Sequence, residues 1–99
     1  MENIVFKIHS QGNYSVLAAC DVEVLGKTFE DGKIFFHVKE SFYFGEKISS
    51  EKLSELLDEF DNVNLIGENA VKVALEKNLA EEGSVLKIKG VPHLQIFRI

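Results

Sequence analysis

The feature that most constrains the fold is a change of hydrophobic period along the chain. Apolar residues alternate at a period of two near both ends, whereas they recur at helical spacing in the middle. Ile4, Phe6 and Ile8 share one face of the first alternating segment, which predicts a half-buried strand. Four further segments are predicted as strands by their alternation or their apolar composition: residues 14–20, 33–38, 84–89 and 93–99.

Between these strands the sequence predicts two helices. The first has Ser49 as its N-cap, and its apolar residues fall at i, i+3, i+4 and i+7. These residues are Leu53, Leu56, Leu57 and Phe60. The second helix is predicted from Asn64 or Gly67 to Lys77, and Asn78 is placed to close it in the left-handed conformation.

The predicted order of elements is therefore β-β-β-α-α-β-β. Because strands and helices are grouped rather than alternating, this order predicts the α+β class, with an antiparallel or mixed sheet of about five strands and two helices on one face. A chain of 99 residues has no room for a second core, so we expect residues 1–99 to form a single domain.

Composition narrows the cellular setting. The longest apolar runs fall well short of the roughly 20 residues that a membrane helix needs, so we expect no membrane span. Residues 1–3 lack a basic region, which argues against a secretory signal. The lone cysteine, Cys20, cannot form an intrachain disulfide and suits a reducing compartment. These observations predict a cytoplasmic protein.

The charge is unevenly distributed. The net charge is −5, residues 40–82 carry four lysines and eleven acids, and residues 83–99 carry three cations and no acid. An acidic domain does not gather nucleic acid nonspecifically, because such binding depends on cations that release phosphate counterions. We therefore expect no nonspecific DNA binding, and we expect any contact with RNA to be local.

Cys20 and Asp21 are the first candidate functional residues. A nucleophilic cysteine needs a base or a cation that lowers its thiol pKa, and His93 could supply this if the fold brings it close. Lys27 follows a turn near Asp21 and could hold an anionic ligand. Against a catalytic role, Cys20 follows two alanines in an apolar strand, where a free cysteine usually behaves as a small buried hydrophobe.

Metal-ligating residue types are present, but their spacing is not that of a metal site. No pair among the histidines and the cysteine has a C-x-x-C or H-x-x-x-H spacing. His9 and His37 occupy the polar side of their predicted strands, so solvated strand residues are the better interpretation of both. We expect no metal and no other cofactor.

Five aromatic residues lie close together in the sequence: Phe35, Phe36, Phe42, Tyr43 and Phe44. Such rings could form a platform that stacks unpaired RNA bases, but acids are interleaved with the cations among them. Core packing is therefore the better explanation of most of these rings. The acids of residues 51–61 are predicted to form a solvated helix face that could also meet a basic partner.

The stretch Gly90-Val91-Pro92-His93 contains the only proline of the chain. Proline holds Val91 extended and removes one backbone donor, which suits the start of a strand, and Gly90 suits the turn before it. A structural corner therefore explains three of the four residues. His93 is not required by that corner, and we keep Pro92 and His93 as functional candidates.

Four blocks of residues, taken together, resemble a known family. They are Cys20-Asp21 with Leu25-Gly26-Lys27 and Phe29, Phe42-Tyr43 with Gly45-Glu46, Asn64-Leu65 with Gly67-Glu68 and Ala70-Val71, and Gly90-Val91-Pro92-His93 with Gln95. In this order they resemble the archaeal family of conserved proteins catalogued as domain of unknown function 424. The resemblance implies an archaeal, cytoplasmic, single-domain protein, and it adds Tyr43, Glu68 and Gln95 to the candidate functional residues.

The sequence leaves three hypotheses for function. The leading one is a non-enzymatic accessory module that contacts a partner protein or a structured RNA assembly such as the translation machinery. The alternative is a small ligand-binding or enzymatic domain in which Cys20, Asp21, Lys27 and His93 converge on one pocket. The third is a homo-oligomer formed through a sheet edge or an aromatic patch.

Overall fold

The computed structural model describes residues 3–98. The strands are β1 (Ile4–Gln11), β2 (Tyr14–Asp21), β3 (Thr28–Asp31), β4 (Ile34–His37), β5 (Glu46–Ile48), β6 (Asn62–Ile66), β7 (Leu86–Ile88) and β8 (Val91–Phe97). The helices are α1 (Glu40–Tyr43), α2 (Ser50–Leu57) and α3 (Glu68–Glu76), and two short 3-10 turns span Val22–Val24 and Glu82–Ser84. The predicted α+β class is confirmed.

Six strands form one mixed sheet in the order β5-β1-β2-β6-β8-β7. β2 and β6 run parallel, whereas the other neighbouring strands of this sheet are antiparallel. β3 and β4 pair only with each other and form a separate hairpin. Two parallel neighbours need a long crossover, which here runs through the hairpin, α1, β5 and α2.

Helices α2 and α3 pack on one face of the six-stranded sheet, as predicted. Leu53 and Leu57 of α2 are fully buried, and so are the small residues Ala70 and Ala74 of α3. They contact a row of apolar residues from four strands, namely Ile4, Leu17, Leu65 and Leu94. The side chain of Ser49 accepts a hydrogen bond from the Lys52 N–H at 3.1 Å, so the predicted N-cap of α2 is confirmed.

A thinner layer covers the opposite face at one end only. It consists of the β3–β4 hairpin, α1 and the Val22–Val24 turn, and its buried residues include Val24, Val38 and Tyr43. They pack on the side chains that this face of the sheet presents at the covered end: Val5, Ala18, Cys20 and Ile66. The sheet therefore has one face covered largely by helices, with Ile8 of β1 still 43% exposed, and one face half covered.

Strand β8 displays this uneven cover. The sequence places Leu94 and Ile96 on one face of the final strand and Phe97 and Ile99 on the other, which predicts cover on both sides. Leu94 is indeed buried against the helices, and His93 lies beneath Phe36. Phe97, however, is 69% exposed. The prediction is wrong at Phe97, because the second layer covers only the His93 end of the strand. Ile99, which belonged to the same prediction, lies outside the described residues.

Of the two predicted starts of the second helix, Gly67 is confirmed as the N-cap, and Asn64 is wrong because residues 62–66 form a central strand. Residues 28–31 form a further strand that the sequence analysis does not predict. Asn78 has a φ of 59°, which confirms the predicted left-handed end of the second helix. No helix in residues 3–98 is long and apolar enough to cross a membrane.

Candidate functional site

Asp21 ends β2 and caps helix α3 from a distant point in the sequence. Its Oδ2 accepts hydrogen bonds from the backbone and side-chain amides of Asn69 at 3.0 and 3.1 Å, and its Oδ1 accepts the Ala70 N–H at 2.9 Å. These are amides of the first helical turn, which have no partner within the helix. Burial raises the pKa of the Asp21 carboxyl, whereas the hydrogen bonds from Asn69 and Ala70 act in the opposite direction. The contacts give Asp21 a structural role.

Gly67 allows this contact to form. Its φ is 104°, and a Cβ at this position would lie 2.6 Å from the Asp21 Oδ1. A side chain at Gly67 would therefore collide with the capping carboxyl and would also strain the backbone. The Asp21 block and the Gly67-Glu68 block of the sequence thus meet at the start of α3.

Pro92 belongs to the same junction. The Gly67 N–H donates to the Pro92 carbonyl at 2.9 Å, as in an antiparallel pair, but proline has no N–H to return. The Gly67 carbonyl instead accepts the Val71 N–H at 3.0 Å, which is the first helical hydrogen bond of α3. Pro92 therefore helps the chain to leave β6 and begin α3. It is the second residue of β8, and Lys89 and Gly90, both at positive φ, form the turn before that strand.

Cys20 does not have the environment of a nucleophile. Its side chain is fully buried in the second, half-covered face of the sheet. Burial and the neighbouring Asp21 charge raise its thiol pKa to about 12. Because successive strand residues point to opposite faces, Cys20 and Asp21 face away from each other. Cys20 therefore acts as a small buried hydrophobe.

Tyr43, Asn64 and His93 form a hydrogen-bonded group under the edge of the second layer. The Tyr43 hydroxyl donates to the Asn64 Oδ1 at 2.7 Å, and the His93 Nε2 lies 3.2 Å from the same oxygen. Burial raises the pKa of Tyr43 above its ordinary value. Both donors converge on one acceptor, which fixes the orientation of the Asn64 amide. The group links α1, β6 and β8.

The surroundings of His93 are apolar. Its ring lies 4.7 Å from that of Phe36, measured between centroids, with an angle of 57° between the planes. Ile66 and Val91 line the same small space. Burial lowers the pKa of His93, so the neutral imidazole is favoured. A neutral imidazole that donates from Nε2 to Asn64 serves the packing of this layer.

The hypothesis of a single pocket made by Cys20, Asp21, Lys27 and His93 is wrong in its geometry. Cys20 and His93 belong to the half-covered face, Asp21 points to α3 on the opposite face, and Lys27 is exposed in a loop. His37 is exposed and bonds to Thr28, while the half-buried His9 stacks on Phe42. Within residues 3–98 no group of three potential ligands is placed to hold a metal ion.

A surface that the sequence analysis missed lies on the uncovered half of the second face. We call it the open sheet face, and it consists of Tyr14, Asn62, Asn64, Gln95 and Phe97. Asn62 pairs with Phe97 and Asn64 with Gln95 across β6 and β8, and the Asn62 side chain donates to the Tyr14 hydroxyl. Tyr14 is 54% exposed and Phe97 69%. Of these residues only Gln95 was a functional candidate from the sequence, and the pattern that could have revealed the rest is the pair of amides at alternate positions of β6.

Of the remaining candidates, Gln95 is exposed within the open sheet face, and Glu68 is exposed in the first turn of α3. Six of the eight candidates therefore fall into two groups, to which Cys20 and Lys27 do not belong. Asp21, Glu68 and Pro92 surround the start of α3, whereas Tyr43, His93 and Gln95 lie beside one another on the second face.

Comparison with known proteins places the chain in a family. The family model described as "Protein of unknown function (DUF424)" matches residues 8–99. The chain belongs to this family. A crystal structure of an uncharacterized conserved protein from Methanopyrus kandleri is similar, with 30% sequence identity and a TM-score of 0.77 over 97% of this chain and 93% of that one. No curated protein matches.

The four sequence blocks that resemble DUF424 meet in the fold. The first and third blocks join at Asp21 and Gly67, the third and fourth at Gly67 and Pro92, and the second contributes Tyr43 to the group around Asn64. These contacts give most of the blocks a role in building the molecule. The two exposed rings of the open sheet face, Tyr14 and Phe97, lie outside all four blocks.

Proposed function

We propose that this DUF424 protein is a non-enzymatic accessory module that binds a partner protein through the open sheet face. The observation that carries the proposal is the exposure of Tyr14 and Phe97 on either side of the Asn62 amide. Aromatic rings contribute strongly to protein interfaces because they offer a large contact area, and a neighbouring amide can add hydrogen bonds. The proposal includes a cytoplasmic location, which the single cysteine favours.

A protein partner agrees better with the charge around this surface than an RNA partner does. Glu59 and Asp61 lie beside Tyr14 and Phe97, and residues 40–82 as a whole are strongly acidic. Carboxylates at this position repel phosphates and remove the counterion-release term on which RNA affinity depends. An RNA assembly such as the translation machinery would have to be contacted through one of its proteins.

A photo-crosslinking experiment tests the proposal. A photoreactive phenylalanine analogue replaces Phe97 in the protein expressed in native archaeal cells, and the same analogue at Phe35, which is 64% exposed on the β3–β4 hairpin, serves as the matched control. We expect a discrete adduct from position 97 that survives nuclease and is absent from position 35.

Four outcomes would contradict the proposal. Identical adducts at both positions, or none at position 97, would remove the open sheet face as a specific surface. A nuclease-sensitive adduct would make the partner RNA. An adduct of twice the mass of the chain would make it a second copy, which is the homo-oligomer hypothesis, and size-exclusion chromatography would then give the assembly size.

A further inference from the structure

An open cleft borders the open sheet face where β6 and β8 meet the end of α2. Its volume is about 390 Å³, which is within the range of sites that take small ligands or single side chains. The lining residues that matter here are Tyr14, Glu59, Asp61, Asn62, Phe97 and Arg98. The cleft therefore combines two aromatic rings with two carboxylates and one cation.

The rings lie on opposite sides of the Asn62 amide. Phe97 is the cross-strand partner of Asn62, and Tyr14 reaches Asn62 from β2 through its hydroxyl. The strands that carry the rings flank β6, so their axes are about 10 Å apart. A planar group held between two ring faces needs roughly 7–8 Å, less than this separation, so the arrangement requires the exposed Phe97 ring to turn toward Tyr14. The faces of such rings attract cations through their quadrupoles.

The carboxylates of the cleft also favour a cation. Glu59 and Asp61 are both exposed, and neither has an ion-pair partner within residues 3–98. Arg98 forms no ion pair with either of them, since its guanidinium donates to the carbonyls of Leu57 and Phe60 at the end of α2, and the cleft keeps two acids against one cation. An incoming cation would thus find two free carboxylates beside two aromatic rings.

We infer that the partner inserts an arginine or lysine side chain into this cleft. The inference rests on the proposed function, since it names the chemistry of the partner at the same surface. The ring faces hold the planar or ammonium end of that side chain, while Glu59 and Asp61 supply opposite charge at the rim. A neutral side chain of the same shape gains no attraction from the rings or the carboxylates.

A peptide titration followed by NMR tests the inference. The probe is the blocked tripeptide Gly-Arg-Gly, and the comparison is the same peptide with citrulline, which keeps the shape of arginine but carries no charge. We expect concentration-dependent shifts at the Asn62 side-chain amide and the Phe97 ring with the arginine peptide only. Equal shifts with both peptides, or no shift at these groups, would overturn the inference.

Charge-matched variants separate the cleft from the general acidity of the protein. E59Q/D61N removes both rim carboxylates, and E76Q/E81Q removes the same charge from residues elsewhere. We expect E59Q/D61N to weaken binding of the arginine peptide roughly three- to tenfold and E76Q/E81Q by less than about twofold. F97A should weaken it roughly two- to fivefold through loss of one ring. Equal losses in the two double variants would show nonspecific attraction and would contradict the inference.

The crosslinking experiment distinguishes failure of the inference from failure of the proposed function. If E59Q/D61N leaves the adduct at position 97 unchanged, the partner uses the open sheet face without a cation in the cleft, and only the inference fails. If the parent protein gives no specific adduct at position 97, the proposed function fails as well.

Discussion

At the scale of single residues, Gly67 has the tightest steric requirement among the described glycines. Its positive φ and the 2.6 Å approach that a Cβ would make to the Asp21 Oδ1 both exclude a side chain. We expect G67A to lower the free energy of unfolding by about 2–4 kcal/mol, combining backbone strain with overpacking. Chemical denaturation measures this.

The matched control for this prediction is G32A. Gly32 has a φ of 62°, but a Cβ at this position would have no neighbouring atom within 4 Å. Its substitution should cost only about 1 kcal/mol from the backbone. Equal losses in the two variants would show that contact with Asp21 contributes nothing.

The lowered pKa of His93 predicts that the stability of the protein depends on pH. Burial lowers its pKa from the ordinary 6.5, so near and below that pH the unfolded chain takes up a proton that the folded protein does not. The contribution of His93 is complete above about pH 6.5 and is lost as the pH falls toward the lowered pKa. Removal of this group should flatten the pH profile of stability.

H93Q tests this, because glutamine keeps a donor for Asn64 but does not titrate. The difference in free energy of unfolding between parent and variant should fall as the pH drops from about 7.5 to about 5, a range that spans the ordinary histidine pKa. Asp21 has a raised pKa and the opposite dependence, but it is present in both proteins and cancels in the difference. A difference that is constant over this range would refute the prediction.

The sequence could identify several of these residues but not their roles. Cys20 and Asp21 are adjacent, and their chemistry suggested a shared pocket. Strand alternation separates them, a consequence that becomes visible only once β2 is known to continue through Asp21. The partners of Asp21 lie 48 and 49 residues away, and no local pattern encodes that distance.

At the scale of elements, Pro92 decides which element uses the Gly67 carbonyl. Because Pro92 of β8 has no N–H, this carbonyl accepts the first hydrogen bond of α3 instead of a bond within the sheet. We expect P92A to supply an N–H that competes with the Val71 N–H for the Gly67 carbonyl. Amide hydrogen exchange at Val71 should become roughly two- to tenfold faster, the range expected for a weakened backbone hydrogen bond.

The Leu53 amide provides an internal control for this measurement. It donates to the Ser49 carbonyl in the first turn of α2, away from the junction of β8 and α3. Its exchange should be unchanged in P92A. If Val71 keeps its protection, the competition for the Gly67 carbonyl does not exist.

The elements with strong periodicity were predictable from sequence. Helix α2 has an apolar stripe and a serine cap, and β1 has a clear period of two. Strand β6 was not separated from the helix that follows, because five residues with asparagine at alternate positions give a weak strand pattern. Its pairing with β2 and β8 holds it in the sheet, and that pairing is long-range.

At the scale of the whole molecule, the two apolar layers share the strands between them. Residues of β2 alternate between the layers, with Leu17 and Ala19 on the helical side and Ala18 and Cys20 on the other. Loss of either layer would therefore expose apolar side chains of the strands that support the other layer. We expect the two layers to unfold together.

L57A tests this cooperativity. Leu57 is fully buried on the helical side, so the substitution should lower the free energy of unfolding by about 2–5 kcal/mol. Far-UV circular dichroism follows the helices, while the near-UV tyrosine signal follows buried Tyr43 in the second layer. Coincident midpoints are expected. Separate midpoints would mean that the layers are independent.

The α+β class and the placement of both helices on one face followed from the order of elements. The half-covered second face did not, because the same alternation describes a strand covered by protein and a strand facing solvent. Phe97 was expected inside for this reason, and its exposure depends on where the β3–β4 hairpin ends. The sequence pattern of this strand therefore could not show that Phe97 belongs to an exposed candidate interface.

The position of β8 has a consequence for synthesis. β8 is the last of the described strands to leave the ribosome, yet it lies between β6 and β7 inside the sheet. Until β8 emerges, β6 has an unpaired edge that another nascent chain can join. A chain truncated before Val91 would keep this unpaired edge permanently. An mRNA broken near its 3′ end would therefore yield a product that aggregates instead of a shorter folded domain.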